Sequence, residues 1–369
     1  MRVGIIGAGQ LGQMLGLAGE RLDLAFTFLD PAPEPPASSI GPVLSCPFDS
    51  NAGISRLASN VDVITYEFEN VSVEAIESIA DDAPVFPPTE ALRIAQDRLS
   101  EKRLFEELGI PVASYIAVDS VRQLRQAVYE IGFPAILKTR RMGYDGKGQH
   151  LLDDESGIKA SWEALGGRPI LVEQWMAFDR EVSAIGARNV NGEIAVYPIT
   201  ENRHSEGILR TSRAPDPSQG VADHARDYLT RLLERLHYVG VLALEFFVWG
   251  NQLFANEFAP RVHNSGHWTI EGAATSQFEN HLRAILNMPL GDTSAVAHAG
   301  MINLIGTMPA AVAAGRRCYL HDYGKKPRPG RKLGHVTVLG DSAPERDRIL
   351  ADIETLLKIP HGREAAFSG

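Results

Sequence analysis

The chain has 369 residues, 44% hydrophobic and 22% charged, with a net charge of −10. At roughly 150 residues per domain that length allows two or three domains, and the composition excludes wholesale disorder. The acidic balance speaks against a nucleic-acid binder, which draws its affinity from a basic excess.

No apolar run approaches the roughly 18 residues of a membrane helix. The two cysteines, Cys46 and Cys318, make neither a disulfide framework nor a metal-ligand spacing. A reduced cytoplasmic enzyme acting on small molecules is the expectation. The apolar start is interrupted by Arg2, Gln10 and Gln13, and reads as strand, loop and helix rather than as a signal peptide.

Residues 3–6, 25–29 and 61–66 are predicted strands, with helices at 11–18 and from about Ser72. That alternation predicts a parallel sheet with crossover helices. Gly7-Ala8-Gly9-Gln10-Leu11-Gly12 between the first strand and helix is a complete G-x-G-x-x-G, and Asp30 ends the next strand. Such glycines serve any anion at a helix N-terminus. The loop is therefore expected to bind phosphate, with an NAD-dependent oxidoreductase as a distant alternative.

Prolines at 84, 87 and 88 mark a break. A charged amphipathic helix over 97–108 ends at Gly109 and Pro111. A strand at 114–118, a helix to 131 and a strand at 135–138 follow. Lys138 then leaves an apolar strand for Gly143-Tyr144-Asp145-Gly146-Lys147-Gly148-Gln149. This is not a Walker A sequence. Its glycines still permit close backbone approach, and its lysines are point charges for phosphate oxygens, so a cover for a triphosphate is preferred over a solvated hairpin tip.

Strands at 170–174 and 181–188 come next. Glu173, Gln174, Trp175 and Met176 would offer backbone groups to an adenine edge, and Glu181 a carboxylate to ribose hydroxyls. By themselves these residues read better as an edge strand with surface acids.

After a helix at 218–236, strands at 239–249 and 253–258 form a ribbon. A two-residue loop, Gly250 and Asn251, would set Glu245 opposite Asn256. A three-residue loop ending at Gln252 sets Glu245 opposite Glu257, and that register is the expected one. It places Leu242, Leu244, Phe246, Val248, Phe254 and Phe258 on one face and two carboxylates on the other. Opposed like charges are destabilising unless a cation lies between them, and hard oxygens with room for phosphate describe a Mg²⁺ site better than two surface acids.

Ala259-Pro260-Arg261-Val262-His263-Asn264-Ser265-Gly266-His267-Trp268 packs more hydrogen-bonding side chains into ten residues than packing readily explains. A helix at 277–286 and strands at 301–305 and 335–339 precede a last helix at 344–357. Lys325, Lys326, Arg328, Arg331 and Lys332 form a basic loop that reads equally as a solvated run or as an anion site.

Together the strings at 143–149, 204–212, 256–269 and 328–335 resemble the ATP-grasp enzymes, and within them the 5-(carboxyamino)imidazole ribonucleotide synthases of purine biosynthesis. The resemblance runs to about residue 340. It implies an α/β ATP-grasp fold: an N-terminal Rossmann-like parallel-sheet domain over 1–96, the ATP-grasp domain over 97–296 with a lid near 112–175, and a small C-terminal portion over 297–369. It implies ATP-dependent carboxylation of aminoimidazole ribonucleotide by bicarbonate through carboxyphosphate, in a cytoplasmic homodimer with neither nucleic-acid nor membrane partners. A formate-dependent glycinamide ribonucleotide transformylase is the nearest alternative.

By the same resemblance, Arg98, Lys138, the loop at 143–149, Glu173 to Met176, Glu181, His204 and Asn256 fall around ATP. Glu245 and Glu257 match the ligands of Mg²⁺, with Mn²⁺ possible in its place. Gln10, Leu11 and Glu67 fall where the family holds the substrate ribose. Lys325 or Lys326, with Arg331 and Lys332, falls where it holds the 5′-phosphate. Tyr144, Asp145, Arg261, His263, Asn264, Ser265 and Lys332 fall about the reaction centre, with Asp145 expected to handle the amine proton. Ala259 stands where many ATP-grasp ligases have Asn, which favours the ribonucleotide synthases over biotin carboxylase-like or peptide-ligase readings. It leaves water or Asn256 as the third metal ligand.

Overall fold

The computed structural model describes residues 1–79, 81–143, 147–309 and 317–357, so Tyr144, Asp145 and Gly146 lie outside the described residues. Three sheets carry the architecture. The first is parallel, in the order β3-β2-β1-β4, from β1 (Arg2–Ile6), β2 (Ala25–Leu29), β3 (Val43–Leu44) and β4 (Val63–Tyr66). β1 is apolar on both sides because both are covered. Val3 and Ile5 face the core of α1 (Gln10–Glu20). Ile6 faces α2 (Asn51–Ala58) and α3 (Val73–Glu77). Ser50 and Ser72 start those two helices by accepting backbone N–H groups. After α4 (Thr89–Ala95), α5 (Arg98–Glu107) is capped by the Asp97 carboxylate.

The second sheet is antiparallel, in the order β5-β8-β6-β7, from β5 (Tyr115–Val118), β6 (Ala135–Thr139), β7 (Gln149–Leu152) and β8 (Ile170–Gln174). α6 (Val121–Ile131) and α7 (Ile158–Ala164) cover one face through Leu124, Val128 and Ile158, against Leu137 and Val172. Strand alternation turns Lys138 and Glu173 to the opposite face.

The third sheet has nine strands: β9 (Arg180–Arg188), β10 (Ile194–Val196), β11 (Thr200–Ser205), β12 (Ile208–Ala214), β13 (Gly240–Trp249), β14 (Gln252–Ala259), β15 (His298–Ile305), β16 (Cys318–Asp322) and β17 (Lys332–Gly340). Its order is β14-β13-β9-β11-β12-β15-β17-β16, with β10 beside β9. The last three strands continue the sheet begun by β9. α8 (Gln219–Arg235) buries Leu229 and Leu233 against one face. The short α9 (Thr269–Gly272) leads to α10 (Gln277–Ile285), which packs between this sheet and α1. One core joins Leu11 and Leu15 to Ile185, Phe278 and Leu282. α11 (Ala343–Leu356) closes β15 and β17 with Leu350 and Ile353.

The β13–β14 ribbon corrects the expected register. Trp249 pairs with Gln252, so the loop is the two-residue Gly250–Asn251. A bulge then shifts the register by one, and Glu245 still meets Glu257. The shift also reverses Phe254. It pairs with Phe247 on the carboxylate side, while Leu253 and Ala255 join Leu244 and Phe246 in the core.

Candidate active site

The carboxylate pair sits where α5, the second sheet and the ribbon meet. Arg98 Nη1 donates to Glu257 Oε2 at 2.8 Å. Lys138 Nζ donates to Glu173 Oε2 at 2.9 Å and to Asn256 Oδ1 at 3.3 Å. Asn256 is the residue that the bulge inserts beside Glu257, which brings an amide to the pair. Burial opposes ionisation of both Glu257 and Glu173. The Arg98 charge nevertheless holds Glu257 below the usual carboxylate range, and Lys102 with Lys138 draws Glu173 down to about 2. At Glu245 burial outweighs the neighbouring His204 charge and, with the charges on Glu257 and Glu181, raises the carboxyl to about 7.

Further along the same face, Glu181 Oε2 contacts His204 Nδ1. Burial disfavours the imidazolium, yet the Glu181 carboxylate outweighs it and raises His204 to about 9. His263 Nε2 lies 3.3 Å from Glu245 Oε1. Burial, with Arg261 and Lys332 nearby, keeps that ring neutral. Glu181, His204, Glu245, Asn256 and Phe247 line an open cleft. Among the described residues no group of three or more His, Cys, Asp or Glu side chains stands ready for a metal ion. The ribbon pairs two carboxylates, Glu245 and Glu257, with the Asn256 amide beside them, a set that fits an ion completing its shell with phosphate and water.

At the other end the structure corrects the phosphate reading of the first glycine loop. The Glu67 carboxylate occupies it, accepting from Gly9 N–H and, at 2.6 Å, from Gly12 N–H. A Cβ at Gly7, whose φ is +103°, would stand 2.4 Å from Glu67 Cγ, and one at Gly9 2.8 Å from Glu67 Oε1. The glycines thus admit a carboxylate of the chain itself. Asp30 is also engaged, accepting from Ala8 and Ala32 N–H at 2.9 and 2.8 Å, so the ribose acid of a dinucleotide site is spent on the backbone. The Leu11 side chain is in the core. Gln10 Oε1 accepts from Lys325 Nζ and so meets the basic loop. Lys326 is exposed, Arg331 and Lys332 are half-buried, and Arg331 Nη1 donates to Lys326 O at 3.2 Å.

The donor-rich segment divides between core and cleft. Trp268 is buried and donates to Thr200 Oγ1 at 2.9 Å, and His267 is 1% exposed. Ser265 is fully buried, its hydroxyl 2.9 Å from His263 Nδ1. Arg261 pairs with Glu69 at 2.6 Å. Both polar atoms of the Asn264 amide are buried without a hydrogen-bond partner among the described residues. Gln174 and Trp175 are exposed and Met176 half-buried where β8 ends, and Gly143, Gly148 and Gln149 flank the segment outside the described residues.

Sequence reasoning missed Glu69 and Lys102, whose Nζ is 3.6 Å from Glu173. Lys102 follows Arg98 by four residues on one helix, so it shares the Arg98 face. That spacing was the available signal.

Family models match three stretches: a ribonucleotide synthetase preATP-grasp domain over residues 1–96, an ATP-grasp domain over 103–278, and a phosphoribosylaminoimidazole carboxylase C-terminal domain over 299–348. The N5-carboxyaminoimidazole ribonucleotide synthase of Pseudomonas aeruginosa is 47% identical over 363 residues, 97% of this chain and 100% of that protein. The chain belongs to the N5-carboxyaminoimidazole ribonucleotide synthase family. The crystal structure of the Thermus thermophilus synthetase of this family superposes with a TM-score of 0.92 at 48% identity, covering 96% of this chain and 98% of that one. The Aspergillus clavatus synthase, in complex with ADP and 5-aminoimidazole ribonucleotide, gives 0.90 at 29% identity, covering 97% and 98%. Membership brings an ATP-grasp ligase fold that binds ATP. Among the described residues no helix is long and apolar enough to cross a membrane.

Proposed function

We propose that the protein carboxylates 5-aminoimidazole ribonucleotide with bicarbonate at the expense of ATP. It thereby forms 5-(carboxyamino)imidazole ribonucleotide, ADP and phosphate in purine biosynthesis. The observation that carries this reading is the facing of Glu245 and Glu257 across the ribbon, with Arg98 and Lys138 beside them.

In the first step a bicarbonate oxygen attacks the γ-phosphorus, the bond to the bridging oxygen breaks, and ADP leaves. In the second the exocyclic amine attacks the carboxyl carbon of carboxyphosphate, the bond to the phosphate oxygen breaks, and the amine gives up a proton. Phosphoryl transfer asks for positioning and charge neutralisation. Arg98 and Lys138 supply fixed positive charge beside the pair. Glu245, Glu257 and the Asn256 amide would hold Mg²⁺, or Mn²⁺ in its place, and the ion when bound would neutralise phosphate charge.

Glu173 to Met176 would meet the adenine edge, with Glu181 and His204 beyond them. Gln10, the Leu11 backbone and Glu67 would hold the ribose. Lys325, Lys326, Arg331 and Lys332 would hold the 5′-phosphate. Arg261, braced by Glu69, would join Lys332 in steadying the carboxyl oxygens as charge develops. His263 and Asn264 stand beside them, and the bare Asn264 amide supports a ligand there. The roles of Tyr144 and of Asp145, as acceptor of the amine proton, rest on family resemblance. Carboxyphosphate hydrolyses readily, so water must be kept out, and the second sheet with its glycine loop is the natural lid.

The proposal includes a cytoplasmic homodimer, a reading supported by the family and by two cysteines that remain free thiols. Its units are 1–96, 97–296 with a lid near 112–175, and 297–369. The nearest competitor is formate-dependent transformylation of glycinamide ribonucleotide. ADP release that needs both aminoimidazole ribonucleotide and bicarbonate is expected. ADP release that instead answers to formate and glycinamide ribonucleotide would replace the reading.

A further inference from the structure

His263 is held by a sealed chain of hydroxyls and one amide. Its Nδ1 lies 3.3 Å from the backbone N–H of Ser265. A backbone N–H only donates, so Nδ1 must accept, and a neutral ring then carries its proton on Nε2. Nε2 is the atom 3.3 Å from Glu245 Oε1.

A second line of contacts leads to the same tautomer. Ser212 Oγ donates to Asn202 Oδ1 at 2.8 Å, and Asn202 Nδ2 donates to Ser183 Oγ at 3.0 Å. Ser183 Oγ, accepting that hydrogen bond, has its own hydrogen to direct at Ser265 Oγ, 2.7 Å away. Ser265 Oγ in turn donates to Nδ1 at 2.9 Å. Register explains the alignment: Glu245 pairs with Ser183 and Asn202 with Ser212, which sets all four on the cleft face of the third sheet. Gln277 fixes the histidine backbone from below, accepting from His263 N–H at 2.9 Å and donating to His263 O at 2.6 Å. The three serines are fully buried and Asn202 is 6% exposed, so solvent has little access to compete. Buried polar groups are costly unless satisfied, and a satisfied chain is rigid.

We propose that Ser183, Asn202 and Ser265 are positioning residues that hold His263 in place as its Nε2–H tautomer, with Nε2 the ring atom beside Glu245. Ser265 thus serves the site through His263. What the lock serves rests on the ligase reading, since Glu245 is one of its two acids. The lock itself is read without substrate.

The test is NMR of the full-length protein with ¹⁵N-labelled histidine, His263 being assigned by its loss in His263→Gln. The wild type is expected to show a single Nε2–H tautomer with an accepting Nδ1. Ser183→Ala leaves the Ser265 N–H on Nδ1, so it is expected to keep the Nε2–H tautomer while loosening the ring, which lowers kcat about tenfold with KM for ATP changed less than about twofold. Ser183→Thr, which keeps the hydroxyl, is expected to restore kcat. A wild-type His263 that is chiefly Nδ1–H, or a folded Ser183→Ala variant with wild-type kcat, overturns the proposal. The wild-type spectrum decides the tautomer whether or not a variant folds. A locked tautomer in a protein that fails to carboxylate would remove the ligase reading and leave the lock standing.

Discussion

A carboxylate taken out of water acquires its charge state from its neighbours, and four glutamates around the cleft show how far that goes. Glu173 and Glu257 face cations and stay ionised despite burial. Glu245 and Glu101 are raised by burial and by the charge on Glu257. The pair is therefore asymmetric: Arg98 keeps Glu257 ionised, whereas the His204 charge does not offset the burial of Glu245. Glu257→Gln removes the secured charge and is expected to cut ADP formation by about a hundredfold or more. Its melting temperature should change little, because loss of the Arg98 ion pair is offset by relief of Glu245 and Glu101. Near wild-type turnover in that variant would remove Glu257 from the reaction. Most of these residues were legible because their neighbours in sequence carry the pattern. Glu69 was not, since its purpose is visible only once Arg261, far along the chain, is folded against it.

At the scale of elements, the ribbon shows why a correct pair can rest on a wrong device. Side-chain alternation identified the two acids, but alternation does not reveal a bulge, because a bulge adds a residue without altering composition. α5 grips that irregularity from outside. Glu101 Oε1 accepts from Phe258 N–H at 2.6 Å, and Lys102 Nζ donates to Ala255 O at 3.3 Å. Glu101→Ala leaves a buried N–H unpaired and is expected to destabilise the fold by about 1–3 kcal/mol, as denaturant titration would read, with a larger fractional loss of ADP formation. Strand β11 escaped the sequence analysis for the opposite reason. Glu201, Asn202, Arg203 and His204 carry no apolar alternation to signal a strand, and Asn202 is held there by Ser183 and Ser212 on its neighbours.

A second element-scale prediction concerns the seam between the first and third sheets. His281 on α10 accepts from Val241 N–H at Nδ1, 3.1 Å away, and Nε2–H reaches Thr65 Oγ1 on β4 at 2.9 Å. Burial lowers this histidine to about 3. Below about pH 6.5 the unfolded chain takes up a proton there that the folded chain refuses. The contribution of His281 is therefore complete above pH 6.5 and falls by about 1.4 kcal/mol per pH unit toward pH 3. Denaturant titrations of wild type and His281→Gln between pH 7 and 5 should show a shallower decline for the variant. Parallel slopes would contradict the assignment.

For the whole molecule, the cleft is assembled from distant parts of the chain. Gln10 and Lys325 meet across 315 residues, and Arg98 and Glu257 across 159. No periodicity predicts such meetings. The α/β ATP-grasp fold was legible through the resemblance, while the parallel first sheet was legible from its alternating strands and helices alone. The continuation of the third sheet into β15, β17 and β16 was not, because a strand's partners are chosen by the sheet edges left open once the rest has folded. The central claim is that this cleft transfers the carbon of bicarbonate to the amine of a ribonucleotide. The direct measurement is ¹³C NMR of the protein with ¹³C-bicarbonate, ATP, Mg²⁺ and 5-aminoimidazole ribonucleotide. A carbamate signal that appears with ADP and vanishes when ATP is omitted is the expected result; ADP formation with no label in the nucleotide would contradict it.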